Sequence, residues 1–318
     1  MLSSLCHTVQ HLPKTARAAQ ISCRALFSAQ LPQDVMLYEV GPRDGLQNEK
    51  QNISTDIKVE FINKLSASGL KAIEATSFVS PKWVPQLADG ADVMAKINKQ
   101  TGVRYPVLTP NIRGLENAVK AGVKEVAIFG AASEAFSKKN INCSIDESLK
   151  RFEEVVSAAK KEGVDVRGYV SCAVDCPYSG KVDPKAAAAV AGALDGMGCY
   201  EVHVANMFSA TLRVVPASRL AAHCHDTYGQ AIANIYQSLL MGIRTLDTSI
   251  AGLGGCPYAK GAAGNVATED VLFLLDGLGI KHGVDLERIL DASKFISTYL
   301  GRPSASKAAQ AFLAKRTA

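Results

Sequence analysis

Two histidines separated by one residue, His223 and His225, stand out among the six histidines of this 318-residue chain. On a strand, side chains two apart point the same way, about 6.6 Å apart by strand rise. Both imidazoles can therefore face one metal ion while Cys224 turns to the opposite side. A lone histidine is usually structural, but a pair at this spacing at a strand end points to a metal. Asp44, in the run Gly41-Pro42-Arg43-Asp44-Gly45, and Asn265, which closes a glycine-rich segment, are the candidate oxygen ligands. Two imidazoles with two oxygens and room for water suit Mg2+ or Mn2+, although zinc and iron(II) share these ligand types. Arg43 beside Asp44 has two readings. It forms a surface ion pair worth little, or it is a fixed guanidinium that stabilises an oxyanion such as an enolate. Cys172 and Cys176 are separated by three residues, not the two of zinc ribbons, so they suggest no structural zinc. Cys256 lies in a stretch with five glycines between 252 and 264, which reads as a mobile lid. A cysteine there is either a proton donor above the metal or an incidental small residue. The GxGG within this stretch lacks the phosphate-binding signature of nucleotide loops.

These residues need elements to position them. From residue 34 onward the chain repeats a short apolar run, a turn and a helical pattern. The spacing predicts strands at 35–41, 72–78, 104–110, 125–131, 166–173, 200–206, 220–226 and 245–252. Between them, 144–163 reads as a helix with a Ser144/Glu147 capping box, an apolar face of Leu149, Phe152, Val156 and Ala159, and Gly163 as its stop. Eight β/α units in roughly 250 residues, largely without hairpin turns, predict an α/β fold of the (β/α)8 barrel type, with a doubly wound open sheet as runner-up. Helical patterns near 285–299 and 303–314 are then C-terminal additions. In such a barrel the chemistry gathers at the C-terminal ends of the strands, where the candidate residues fall, and closure makes the first and eighth strands neighbours.

Composition narrows the rest. The chain is 47% hydrophobic and 20% charged with a net charge of +5, which excludes a disordered chain, and no apolar run is long enough to span a membrane. Eight cysteines are too few for a disulfide-stapled scaffold. Residues 1–33 contain Lys14, Arg17 and Arg24 and several serines but no Asp or Glu, the make-up of an organelle transit peptide; a plain disordered tail is the alternative. Without them, 32 of the 35 basic residues remain against 30 acidic ones, so the basic excess is no argument for nucleic acid. The expected compartment is the mitochondrial matrix, and residues 34–318 form one catalytic domain.

Five stretches, GPRDGLQNEK (41–50), SFVSPKWVPQLAD (77–89), KKNINCS (138–144), AAHCHDTYGQ (221–230) and AGLGGCPYAKGAAGNVATED (251–270), together resemble the 3-hydroxy-3-methylglutaryl-CoA lyases. The resemblance runs from about residue 34 to 310. It implies a TIM barrel that uses a divalent cation to cleave 3-hydroxy-3-methylglutaryl-CoA to acetyl-CoA and acetoacetate, a step of ketone-body formation and leucine degradation. It further implies Asp44, His223, His225 and Asn265 as ligands and Arg43 as stabiliser of the thioester enolate. By the same resemblance His223 takes part in proton transfer from the tertiary hydroxyl and Cys256 protonates the acetyl-CoA enolate. Glu74, Glu269 and Asp270 match acidic positions that support the site, and Asn140 and Tyr169 lie near the acyl-CoA. A homodimer is expected.

The sequence departs from that family after Glu201. The family continues with a Gly-Asp-Thr turn and a glycine-rich loop. This chain reads Val202-His203-Val204-Ala205-Asn206 and reaches His223 after only 21 residues, roughly a dozen fewer than the family pattern. Asn206 stands where the family has aspartate, if the strand aligns that far. The expectation is a barrel that closes but has a depleted rim, hence a splice form of impaired activity or a non-catalytic acyl-CoA-binding barrel. A condensing enzyme of the isopropylmalate or homocitrate synthase type shares the RDG turn and the HxH strand; the Cys256 loop and the lack of an extra regulatory domain favour the lyase.

Overall fold

The computed structural model describes residues 31–204, 208–255 and 263–316. The sheet strands in chain order are β1 (Met36–Glu39), β2 (Ala72–Ile73), β3 (Thr76–Ser77), β4 (Val107–Leu108), β5 (Glu125–Ala131) and β6 (Asp165–Ser171). After a short antiparallel hairpin, β7 (Asp175–Cys176) with β8 (Gly180–Lys181), follow β9 (Glu201–Val204), β10 (Leu220–His223) and β11 (Thr245–Thr248). The sheet runs β2-β1-β11-β10-β9-β6-β5-β4-β3, all parallel. Its two ends, β2 and β3, are halves of one strand interrupted at Glu74 and Ala75. The Glu74 amide donates to Glu39 of β1 and the Ala75 amide to Pro106 on the other side, at 2.8 and 2.9 Å. One strand thus bonds to both neighbours and the sheet closes on itself, which excludes the open doubly wound sheet.

All eight expected strands are present, mostly shorter than their apolar runs. The third shrinks to Val107–Leu108 because Pro106 and Pro110 have no N–H to give a ladder. The helix expected at 144–163 is Ile145–Lys161, with both hydrogen bonds of the Ser144/Glu147 box formed. Phe152, Val155, Val156 and Ala159 are buried on the face it turns to the barrel, as a 3.6-residue period requires, while Leu149 is half-buried. Two C-terminal helices, Leu286–Leu300 and Lys307–Arg316, pack on the helices Thr55–Ser66 and Thr268–Leu278 respectively.

The sixth crossover is the irregular one. Its described part holds a four-residue helix, Phe208–Thr211, and a single turn at Ala217–Arg219, where the next unit has Ala231–Leu240. Asn206 lies outside the described residues. The barrel nevertheless closes here, because β9 pairs with β6 on one side and β10 on the other. Closure depends on the strand ladders, and a crossover of this length still spans the distance. No helix among the described residues is long and apolar enough to cross a membrane.

Candidate metal site

The first strand ends in a wide turn. The amides of Asp44 and Gly45 both reach back to the carbonyl of Val40, at 2.8 and 3.2 Å, the second closing a five-residue step instead of four. Such π-type turns often occur at functional sites, since they aim consecutive side chains differently from a regular helix. Pro42 suits the start of the turn, where its missing N–H is not needed. Gly45 allows the opposite loop to approach: a Cβ there would sit 2.8 Å from Leu253 Cβ. Glu39 ties the two together. Its carboxylate accepts from the amides of Gly41 and Ile250, at 2.8 and 2.9 Å, and from Thr268 Oγ1 at 2.6 Å.

Arg43 and Asp44 therefore point into the barrel mouth. Arg43 is only 6% exposed, which removes the surface ion-pair reading. Its Nη1 donates to Asp44 Oδ1 at 2.8 Å and its Nη2 to Glu74 Oε2 at 2.9 Å. Tyr169 Oη donates to the same Glu74 oxygen at 2.9 Å, so Glu74 fixes both the guanidinium and the phenol. Burial works against the Asp44 charge, but the Arg43 guanidinium and the two imidazoles outweigh it and hold its pKa below the usual carboxylate value. Burial raises Glu74, with Arg43 opposing.

The seventh strand delivers the histidines. One ligand atom each from Asp44, His223 and His225 lies within 4.8 Å of the others. His225 Nδ1 donates to the Ala263 carbonyl at 3.2 Å and His223 Nδ1 to Asp247 Oδ2 at 3.0 Å. With Nδ1 carrying the proton, each ring keeps the Nε2 lone pair for a cation. Asn265 closes the set: its Nδ2 donates to Asp44 Oδ2 at 2.7 Å and to Leu253 O at 3.2 Å. That leaves Asn265 Oδ1 buried with no hydrogen-bond partner. An orphaned amide oxygen beside a carboxylate and two imidazole nitrogens fits a divalent cation, because a bound ion would satisfy it.

Arg43, Asp44, Tyr169, His223 and His225 line a cleft of about 1740 Å³, whose wall also includes Asn140, Lys139 and Arg151. The structure thus brings together Arg43, Asp44, Glu74, Tyr169, His223, His225 and Asn265, with Asn140 further out in the same cleft. Two expected residues are placed elsewhere. Both oxygens of Glu269 accept from the Ala251 amide, at 3.1 and 3.0 Å, so it braces the loop behind the ligands. Asp270 needs a correction: it turns to the C-terminal helix, where its Oδ1 accepts from Ser306 Oγ at 2.7 Å and the Ala308 amide at 2.8 Å. Neighbours on a helix diverge by about a quarter turn, so both cannot face the cleft. Cys256 lies outside the described residues. The sequence reading missed Asp247 and His203, which sit beneath the ligands; the available signal was a charged or polar residue at the centre of an otherwise apolar strand.

With the geometry in place, comparison with known proteins gives a consistent picture. The HMGL-like family matches residues 34–296. The mitochondrial hydroxymethylglutaryl-CoA lyase of Bos taurus is 55% identical over 309 residues, covering 93% of this chain and 94% of the relative. The cytoplasmic 3-hydroxy-3-methylglutaryl-CoA lyase of Rattus norvegicus is 54% identical over 88% of this chain. The crystal structure of hydroxymethylglutaryl-CoA lyase from Pseudomonas aeruginosa superposes with a TM-score of 0.87 at 56% identity, over 90% of this chain and 99% of that one.

Proposed function

The chain belongs to the hydroxymethylglutaryl-CoA lyase family, and from that premise we propose that it cleaves 3-hydroxy-3-methylglutaryl-CoA to acetoacetate and acetyl-CoA. The observation that carries this reading is the buried Arg43, held at 2.8 and 2.9 Å by Asp44 and Glu74 beside the Asp44–His223–His225 cluster. Asp44, His223, His225 and Asn265 are the residues that would hold the cation, for which Mg2+ and Mn2+ are the ions proposed. A divalent cation bound there supplies Lewis acidity to the tertiary hydroxyl of the substrate.

The remaining steps belong to side chains. Burial opposes a charge on His223, but its hydrogen bond to Asp247 and the nearby Asp44 carboxylate raise its pKa above the ordinary histidine value, which suits a part in transfer of the hydroxyl proton. Since Nδ1 is committed to Asp247, Nε2 would receive that proton only while the cation does not engage it. As the bond between C2 and C3 breaks, its electron pair moves into the thioester and charge builds on the thioester oxygen. The Arg43 guanidinium, prevented from rotating by its two carboxylate partners, is placed to meet that charge. Cys256 is the proposed donor of the proton that returns to C2, completing acetyl-CoA. Asn140 and the cleft wall are the proposed contacts for the acyl-CoA.

A second reading, a barrel that binds acyl-CoA with little turnover, is favoured by one observation: the sixth crossover holds only a four-residue helix among its described residues. Purified chain, treated with EDTA and resupplied with Mg2+ or Mn2+, distinguishes the two when given 3-hydroxy-3-methylglutaryl-CoA. Metal-dependent acetoacetate that vanishes in Cys256→Ala supports the lyase. Folded, cation-binding protein that makes none supports the second reading. We also propose that residues 1–33 act as a mitochondrial transit peptide ahead of a catalytic unit at 34–318 and that the protein works as a homodimer. Residues 1–33 fused to a fluorescent protein test the address, and sedimentation velocity tests the dimer.

A further inference from the structure

Below the ligands, the barrel interior holds a group of polar side chains where apolar packing is usual. Asp247 on β11 is fully buried, and its Oδ2 accepts two imidazole hydrogens, from His203 Nδ1 at 2.6 Å and from His223 Nδ1 at 3.0 Å. The strand register produces this arrangement. His223 of β10 lies opposite Asp247, and His203 of β9 lies opposite Ala221, two residues before His223 and therefore on the same face. His203 is itself held in place. Its Nε2 lies 3.2 Å from Glu201 Oε2, and Glu201 is fixed by Arg167 Nη2 at 2.8 Å and Thr245 Oγ1 at 2.6 Å. Arg167 in turn lies over the Tyr38 ring, 3.2 Å from its centroid.

We propose that Asp247 is a positioning residue that locks His223 in the tautomer whose Nε2 faces the cation, and that His203 holds the Asp247 carboxylate in the pose that does so. An imidazole without this acceptor can carry its proton on either nitrogen, and only one of the two forms can ligate. Asp247 could otherwise turn toward Arg167, whose Nη2 is 3.6 Å from its Oδ1, and release His223. His203 donates at the shorter distance and keeps Oδ2 between the two rings. The inference rests on the reading of Asp44, His223 and His225 as the cation site.

The test is a titration of the full chain, stripped of metal, with Mn2+, following free Mn2+ by electron paramagnetic resonance. Circular dichroism and melting curves confirm folding of each variant. Asp247→Asn is expected to weaken Mn2+ binding about 10–100-fold. His203→Ala is expected to weaken it about tenfold, and His203→Asn, whose amide can still donate to Asp247, to stay within about threefold of the parent. A merely structural role would move the melting points of both His203 variants together and leave Mn2+ affinity unchanged. Parent-like Mn2+ affinity in folded Asp247→Asn overturns the proposal, and parent-like affinity in His203→Ala overturns the part assigned to His203. Should Asp247→Asn fail to fold, the contrast between the two His203 variants decides. A parent chain that takes up no Mn2+ overturns both this proposal and the cation-site reading; a binding parent with unaffected variants overturns this proposal alone.

Discussion

Replacing Arg43 with methionine separates a structural cation from a catalytic one. Glu74 is fully buried and loses the guanidinium that donates to it at 2.9 Å, keeping only the Tyr169 hydroxyl. Breaking a buried pair by removing one partner costs about 3–5 kcal/mol, because the remaining charge is left uncompensated. For a domain of this size that is a drop in melting midpoint on the order of 10 °C. Adding Glu74→Gln removes the stranded charge, keeps the shape and still accepts from Tyr169. Asp44 retains its contact from Asn265 at 2.7 Å. The double variant should therefore recover to within about 1 kcal/mol of the parent, as isosteric neutral replacements of buried pairs do. Activity should behave differently. Removing the group that meets the developing oxyanion costs about 10²–10³ in kcat, roughly 2.7–4 kcal/mol, and restoring stability returns none of it. Urea melts of the parent and the two variants beside acetoacetate production under saturating substrate and Mg2+ give both numbers. A double variant within tenfold of parental kcat refutes the oxyanion role; a single variant as stable as the parent refutes the account of Glu74.

Further outcomes follow from other parts of the scaffold. Burial raises Glu269 from 4.5 to about 7, so the folded protein binds that proton more tightly than the unfolded chain. Its stabilising contribution is complete below pH 4.5 and is lost as pH rises toward 7, a change of about 3 kcal/mol. Glu269→Gln should flatten the fall in stability between pH 5 and 8 by that order, and thermal melts across the range showing an unchanged slope would contradict it. Gly254 has φ +112°, and a Cβ there would sit 2.5 Å from Asn265 Nδ2. Gly254→Ala should displace Asn265 from Asp44 and weaken Mn2+ binding about tenfold or more, with only a modest loss of stability; unchanged Mn2+ affinity would show that the close approach does not matter.

Much of the site was legible because its signal is local. His223 and His225 announce themselves by a two-residue spacing, and the Ser144/Glu147 box by a three-residue one. Asp44 and Asn265 could be joined to the histidines only by assuming a closed barrel, and the 2.7 Å contact between them is the consequence of that closure. What escaped the sequence is what depends on register between strands. Arg167, His203 and Asp247 each sit within an apolar run, and nothing in a single strand says that three such runs place their polar residues in one layer. The separate placing of Glu269 and Asp270, both expected to support the site, escaped for a different reason. They are adjacent in a motif, but a helix sends neighbours in different directions, one to the loop at Ala251 and the other to Ser306.

The same geometry explains how a short sixth crossover and the proposed ligand set can coexist. Asp44, His223 and Asn265 come from the first, seventh and eighth units, which adjoin one another around the closed sheet. The sixth strand reaches the ligands only through its inward side chains: Glu201 and His203 run parallel to β10 below the rim and act through Asp247. A change in the crossover beyond β9 would therefore alter the rim while leaving the proposed ligands in place. Strand pairing holds the inward layer, so β9 can keep His203 against Asp247 even though its crossover carries only a four-residue helix among the described residues. Cation binding and turnover should then be separable in this chain. The first depends on ladders that are complete. The second depends also on how well the rim excludes water from the proposed enolate before its protonation, the step proposed for Cys256.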